Sequence, residues 1–269
     1  MTEPQPPADL TTLLYEQADG IARVTLNRPD TYNAFNLAMQ GELQSVWSHV
    51  KADPAVRVVI LTAAGDRAFC TGIDRSEIPD EEFDPYTYED PGTIIGPKSQ
   101  RVWKPVIAAV NGMACGGAFY LLGESDIIIA SSTATFFDPH VTFGMTAVFE
   151  PLLLLPRMSF GEVLRMALVG SSERMSAELA RASGLVSEVV EPDDLLAAAE
   201  RLAEAIASQP PHAVQATLRT LWAGRDLPAA QAIELGNTFL ALGTTAAGLA
   251  EGQERFGSGE RPKWRLRDA

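Results

Sequence analysis

Two apolar-rich stretches, Leu13-Leu-Tyr-Glu16 and Ala22-Arg-Val-Thr-Leu26, flank Asp19-Gly20, a turn pair that predicts a hairpin between two strands. Asn36 stands where an N-cap is wanted, ahead of Leu43, Val46, Trp47 and Val50 at helical spacing. Strand-like runs at 57–62, 106–110 and 126–130 alternate with a glycine loop around Gly72 and a helix after Gly117, as βαβ units do. From Pro156 onward the pattern is mainly helical. Residues 193–208 carry Leu196, Ala199, Leu202, Ala203 and Ile206 along one stripe, and 227–255 read as another amphipathic helix. No internal repeat emerges. These periods describe an α/β chain with a helical C-terminal part. Asp74 to Gln100 breaks the pattern: eight acidic residues up to Asp90, with Pro79, Pro85, Pro91 and Pro97, resist regular structure and predict an excursion from the fold.

Composition narrows the class. With 269 residues, 46 % of them apolar and 21 % charged, the chain can bury a large core. A formal charge of −14 argues against a nucleic-acid partner, which needs clustered cations, and any anionic ligand must be met by local donors. Cys70 and Cys115 lie beside the glycine turns rather than in a paired spacing, which suits free thiols in a reducing compartment. The opening Met1-Thr-Glu-Pro-Gln-Pro-Pro7 lacks a basic and an apolar leader region, and apolar runs such as Leu152–Leu155 are too short to span a bilayer. The expectation is a cytoplasmic protein whose residues 1–10 form a disordered tail.

The candidate chemistry lies at two glycine turns. In Lys104-Pro-Val-Ile-Ala-Ala-Val-Asn-Gly-Met-Ala-Cys-Gly-Gly-Ala-Phe119 a buried strand runs into a glycine pair that opens a helix, presenting free N–H groups at the positive end of its dipole. Val56 to Asp74 repeats the design with Gly72. Two such turns can supply two donors to one oxygen. These segments, with Asn27-Arg-Pro29, Asn33-Ala34, Ala68-Phe69, Ser125-Asp-Ile-Ile-Ile-Ala-Ser131, Leu155-Pro-Arg157 and Gly184-Leu-Val-Ser-Glu-Val-Val190, follow one another in the order and spacing of a known family. The chain resembles the crotonase (enoyl-CoA hydratase/isomerase) superfamily over roughly residues 10 to 265.

The resemblance implies a crotonase-like spiral of ββα units over 11–195 and a helical C-terminal region over 196–269 that mediates trimer formation, hence a homotrimer or a dimer of trimers. It implies an acyl-CoA ligand with coenzyme A as part of the substrate, no further cofactor and no metal, and it places the 74–100 excursion over the acyl pocket. The oxyanion donors map to the N–H of Ile73 and the N–H of Gly117. Ile73 replaces a smaller residue and narrows the pocket. Coenzyme A contacts map to Arg28, Ala68, Thr71 and Ile73, and to a tail containing Phe256 and Arg261-Pro-Lys-Trp-Arg265, with Trp264 at its centre. A lysine usual after the Arg-Pro is replaced by Asp30-Thr31, leaving Arg75, Lys98 and Arg101 as cations that compensate or are simply solvated.

The acid–base positions depart from the hydratases. Their two glutamates are replaced by Tyr120 and His140, the latter within Thr135-Phe-Phe-Asp-Pro-His140. A phenol near pKa 10 is a poor base at neutral pH, whereas an imidazole near 6.5 is well placed for proton transfer. Tyr120 is a proton donor or pocket lining; His140 is catalytic, or a packed histidine satisfied by Asp138; Glu150 is a further acid–base candidate, or a carboxylate at a helix start. His49 and His212 read as surface or packing residues. Three readings stay open: a lyase acting on an acyl-CoA, a carbon–carbon or thioester hydrolase of the same fold, and a non-catalytic acyl-CoA-binding protein.

Overall fold

The computed structural model describes residues 7, 9–77, 86, 88–259 and 264–267. Most of the expected tail at 1–10 and part of the acidic excursion therefore lie outside the described residues. The strands are β1 (Leu13–Ala18), β2 (Ile21–Leu26), β3 (Val58–Ala63), β4 (Ala68–Cys70), β5 (Val106–Val110), β6 (Met113–Cys115), β7 (Ile127–Ser131), β8 (Thr135–Phe137), β9 (Met175–Ser176) and β10 (Glu188–Val190). The α-helices are α1 (Leu37–Ala52), α2 (Ala118–Glu124), α3 (Phe149–Leu154), α4 (Phe160–Val169), α5 (Ala177–Ala182), α6 (Leu195–Ala207), α7 (Pro211–Asp226), α8 (Ala229–Gly243) and α9 (Ala246–Gly257). A larger sheet runs β1-β2-β3-β5-β7-β10, antiparallel only at the β1–β2 hairpin, and a smaller one runs β4-β6-β8-β9.

Every residue of β3 and β5 is buried, as parallel strands covered on both faces require. On one face Val58, Ile60, Ile107, Ala109 and Ile129 meet Leu195, Ala198, Ala199 and Ala203 of α6. On the other, Val59, Leu61, Val106, Ala108 and Val110 join the main core with Met39, Leu43, Val46 and Trp47 of α1. The α1 start is capped as expected, the Asn36 side chain accepting from Met39 N–H at 3.0 Å. Trp47 is fully buried and donates Nε1–H to the Ile95 carbonyl at 2.7 Å, tying α1 to the 91–95 turn.

The region after Pro156 is mainly helical as expected, with the short β10 closing the larger sheet and β9 the smaller. The α6 stripe holds at Ala199, Leu202, Ala203 and Ile206, but Leu196 is exposed and Leu195, Ala198 and Ala207 are buried beside the others. Residues 227–255 form two helices, because Thr245 caps α9 by accepting from Gly248 N–H at 3.1 Å.

The chain divides into a unit Met1–Ala207 and a unit Ser208–Ala269, so α6, packed on the sheet, goes with the first. The sequence boundary at 195/196 falls one helix earlier. In the second unit α7 and α8 pack together where Gly243 lies against Ala216, and Leu221, Ile233, Leu240, Leu242, Leu249 and Phe256 face outward. Among the described residues no helix is long and apolar enough to cross a membrane.

Candidate active site

The two glycine turns touch, backbone to backbone. Gly72 holds φ +85°, and a side chain there would come within 2.7 Å of the Gly117 nitrogen. A methyl on Gly117 would meet the Phe35 ring at 2.7 Å and the Gly72 Cα at 3.1 Å. Only glycine at both positions lets the turns approach so closely. Gly117 opens α2, and its N–H and that of Ile73 are spent on no other group among the described residues. The expected pair of donors thus lies side by side.

A short bridge fixes the first donor. Phe35 N–H donates to Gly72 O and Asp74 N–H to Phe35 O, each at 2.8 Å, which leaves the intervening Ile73 N–H pointing away from the bridge. Arg28 clamps both strands of this bridge: its Nη1 donates to Ala34 O at 2.6 Å and pairs with Asp74 at 2.9 Å, while Nη2 reaches Glu77 at 2.9 Å. The Ser76 hydroxyl and the Arg28 guanidinium together hold the Asp74 carboxyl below its ordinary range. The fork of Arg28 is therefore occupied by the loop itself. Its part in the site, as placed, is to hold the Ile73 turn.

Asn33 does similar work behind the turn, its side-chain amide donating to Ala64 O at 2.9 Å and Ala68 O at 2.8 Å. Ala68 is thereby buried in β4, and Thr71 donates its hydroxyl to Tyr32 O at 3.4 Å. The Ile73 side chain packs against the main core. Of the candidate compensating cations, Lys98 is buried in an ion pair with Asp126 at 2.8 Å, and Arg75 lies against the sulfur of Met145. Trp264 belongs to the second unit and is 84 % exposed.

His140 reaches the second turn. Its Cε1 would lie 3.7 Å from a side chain placed on Gly116, the residue before the Gly117 donor. Asp138 Oδ1 accepts from His140 N–H at 3.0 Å and from its Nδ1 at 2.5 Å, because the chain turns at Pro139 instead of staying extended. The opposite ring nitrogen, Nε2, lies 3.4 Å from Glu150 Oε1. The Asp138 hydrogen bond raises the His140 pKa against the pull of burial, and Glu150 adds to the rise. Burial raises that of Glu150, with His140 acting in the opposite direction.

Glu150 occupies the first turn of α3, as a helix-start carboxylate would, yet it is buried and turned onto the imidazole. Tyr120, on the first turn of α2, packs its ring where a side chain on Gly92 would otherwise stand. Its hydroxyl is buried and faces the Asp90 carboxylate. Burial first, then Asp90 and Glu150, push the phenol far above its usual range. It is no base at neutral pH. His49 is buried against Tyr15 and Asp53, a packing histidine.

A family model for enoyl-CoA hydratase/isomerase matches residues 16–267. The chain belongs to the enoyl-CoA hydratase/isomerase family. A relative from Thauera aromatica, (E)-benzylidenesuccinyl-CoA hydratase, is 36 % identical over 251 residues, 93 % of this chain and 97 % of that protein. Short-chain-enoyl-CoA hydratase of Clostridium acetobutylicum is 34 % identical, with 84 % and 87 % covered. An enoyl-CoA hydratase/isomerase crystal structure from Mycobacterium paratuberculosis superposes with a TM-score of 0.87 at 37 % identity, over 96 % of this chain and 100 % of that one. The crotonase fold is thus the fold of this family member, and the joined glycine turns stand within it.

Proposed function

We propose that the chain binds an acyl-CoA thioester with its carbonyl oxygen between Ile73 N–H and Gly117 N–H, and adds water to, or removes it from, the adjoining acyl carbons. The observation that carries this reading is the contact of the Gly72 and Gly117 backbones, which sets two unspent donors side by side next to His140. Donors fixed before reaction and aimed at a developing oxyanion contribute about 3–4 kcal/mol each.

The proton traffic balances within one pair of residues. Asp138 holds the Nδ1 side of His140, so neutral Nε2 accepts a proton from water as the oxygen attacks Cβ. The electron pair moves from the Cα–Cβ bond onto the thioester oxygen, where the two N–H groups hold it. Glu150 in its carboxylic acid form, the form that burial favours, delivers its proton to Cα as the enolate collapses. The proton now on Nε2 crosses to Glu150 over their 3.4 Å contact, and the site is reset. An imidazole and one carboxylate thus stand in for the family's two glutamates.

Turnover of crotonyl-CoA by the parent, His140→Ala and Glu150→Gln tests the reading. Each variant is expected to lose about 10²–10⁴-fold in kcat/KM. Undiminished hydration in His140→Ala would overturn the assignment. A hydrolase reading draws on the same Asp138–His140 dyad and is separated by product: free CoA thiol in place of a hydroxyacyl thioester.

A further inference from the structure

The helix that carries Glu150 is set in place at its far end. A side chain on Gly123, in the last turn of α2, would stand 2.6 Å from Leu153 Cβ of α3, where ordinary contact begins at 3.4 Å. The bare backbone at 123 thus lets α3 seat closer on α2 than an alanine would allow. Leu153 and Glu150 lie one helical turn apart, so the face of α3 that meets Gly123 is the face that brings Glu150 to His140 Nε2 at 3.4 Å. Two contacts share one face. Arg157, just beyond α3, closes the joint: its Nε and Nη2 donate to the Gly123 carbonyl at 3.3 and 3.2 Å, and Nη2 also donates to the Ser125 carbonyl. A guanidinium there meets carbonyls that the end of α2 leaves without intrahelical donors, at the negative end of the helix dipole. Arg157 N–H donates to Leu154 O at 2.9 Å, which ties the cation to the end of α3. Since α2 opens at Gly117, one short helix holds an oxyanion amide at its start and the α3 joint at its end.

Resting on the thioester reading above, we infer that Gly123 and Arg157 are positioning residues, which fix α3 on α2 and so set the reach of Glu150 to His140 and to the acyl carbons. They act through Glu150. The oxyanion donors are held by other contacts, Gly117 by Gly72 and Phe35, and Ile73 by the Phe35 bridge. Loosening the α2–α3 joint therefore slows proton delivery while leaving the thioester bound.

Gly123→Ala and Arg157→Lys, made separately in the whole protein, test the inference. Alanine forces α3 outward; lysine keeps the charge and loses the fork. In each, butyryl-CoA, which has no double bond to hydrate, is expected to bind within about twofold of the parent by calorimetry, whereas kcat for crotonyl-CoA falls about tenfold to 10²-fold, as for a group misplaced by about 1 Å. The His140 imidazole, followed by NMR, gives a readout that turnover does not enter. Asp138, Glu150 and Asp90 bear on it, and withdrawal of Glu150 is expected to lower its pKa in both variants. In a folded variant an unchanged kcat or an unchanged His140 titration overturns the inference, and so does a loss of butyryl-CoA binding as large as the loss of kcat. If Gly123→Ala does not fold, Arg157→Lys decides by the same measurements. A parent that binds butyryl-CoA and leaves crotonyl-CoA untouched overturns the hydration reading instead, and the His140 titration then decides the positioning inference by itself.

Discussion

His140 is held from both sides, by Asp138 at Nδ1 and by Glu150 at Nε2, and this makes its titration the most informative residue-level property. Its pKa is raised, led by the Asp138 hydrogen bond. A base works with its lone pair free, so kcat/KM is expected to fall on acidification through a value above the ordinary histidine figure of about 6.5. Asp138→Asn removes the leading cause and should move that acid limb to lower pH; an unmoved limb would show that the dyad does not set the titration. The sign for stability is the reverse: the contribution is full below about pH 6.5 and is lost as pH rises through the raised folded-state value. His140 and Tyr120 are legible in the sequence because the family resemblance maps them to the positions of the two hydratase glutamates. Glu150 is less so, since only the turn from Pro139 through Gly144 brings it onto the imidazole. The side-chain fork of Arg28 is closed by Asp74 and Glu77, partners that only folding brings near. Arg28→Lys keeps the charge and loses the fork, so it is expected to weaken acyl-CoA binding several-fold with little loss of fold, measurable by calorimetry.

At the scale of elements, the site depends on two turns meeting. Gly72→Ala would force a residue with φ +85° to carry a side chain 2.7 Å from the Gly117 nitrogen. Strain at such a position costs about 1–3 kcal/mol, so thermal melting should fall by several degrees, and the separated donors should bind acyl-CoA poorly. An unchanged melting temperature with normal binding would contradict the contact. The central strands were easy to read because burial on both faces makes them continuous apolar runs, as in Val58–Ala63. The short β9 and β10 carry too few residues for a period to show. The α6 stripe is legible except at Leu196, which is exposed while the alanines 198, 199 and 203 make the closest approach to the sheet. The break between α8 and α9 rests on one threonine cap inside a continuous amphipathic pattern.

At the scale of the molecule, the second unit turns Leu221, Ile233, Leu240, Leu242 and Phe256 outward, more apolar surface than scattered single residues account for. Assembly into a trimer or a dimer of trimers is the expected outcome, and sedimentation at micromolar concentration checks it; a monomer alone would refute it. In the proposed reading the joined turns and the His140–Glu150 pair serve one acyl carbonyl. A crystal structure of the protein with a bound acyl-CoA tests that reading most directly. The thioester oxygen is expected about 2.7–3.1 Å from both Ile73 N and Gly117 N, with the acyl carbons beside His140. A thioester seated elsewhere, or an oxygen reaching only one of the two nitrogens, would contradict it.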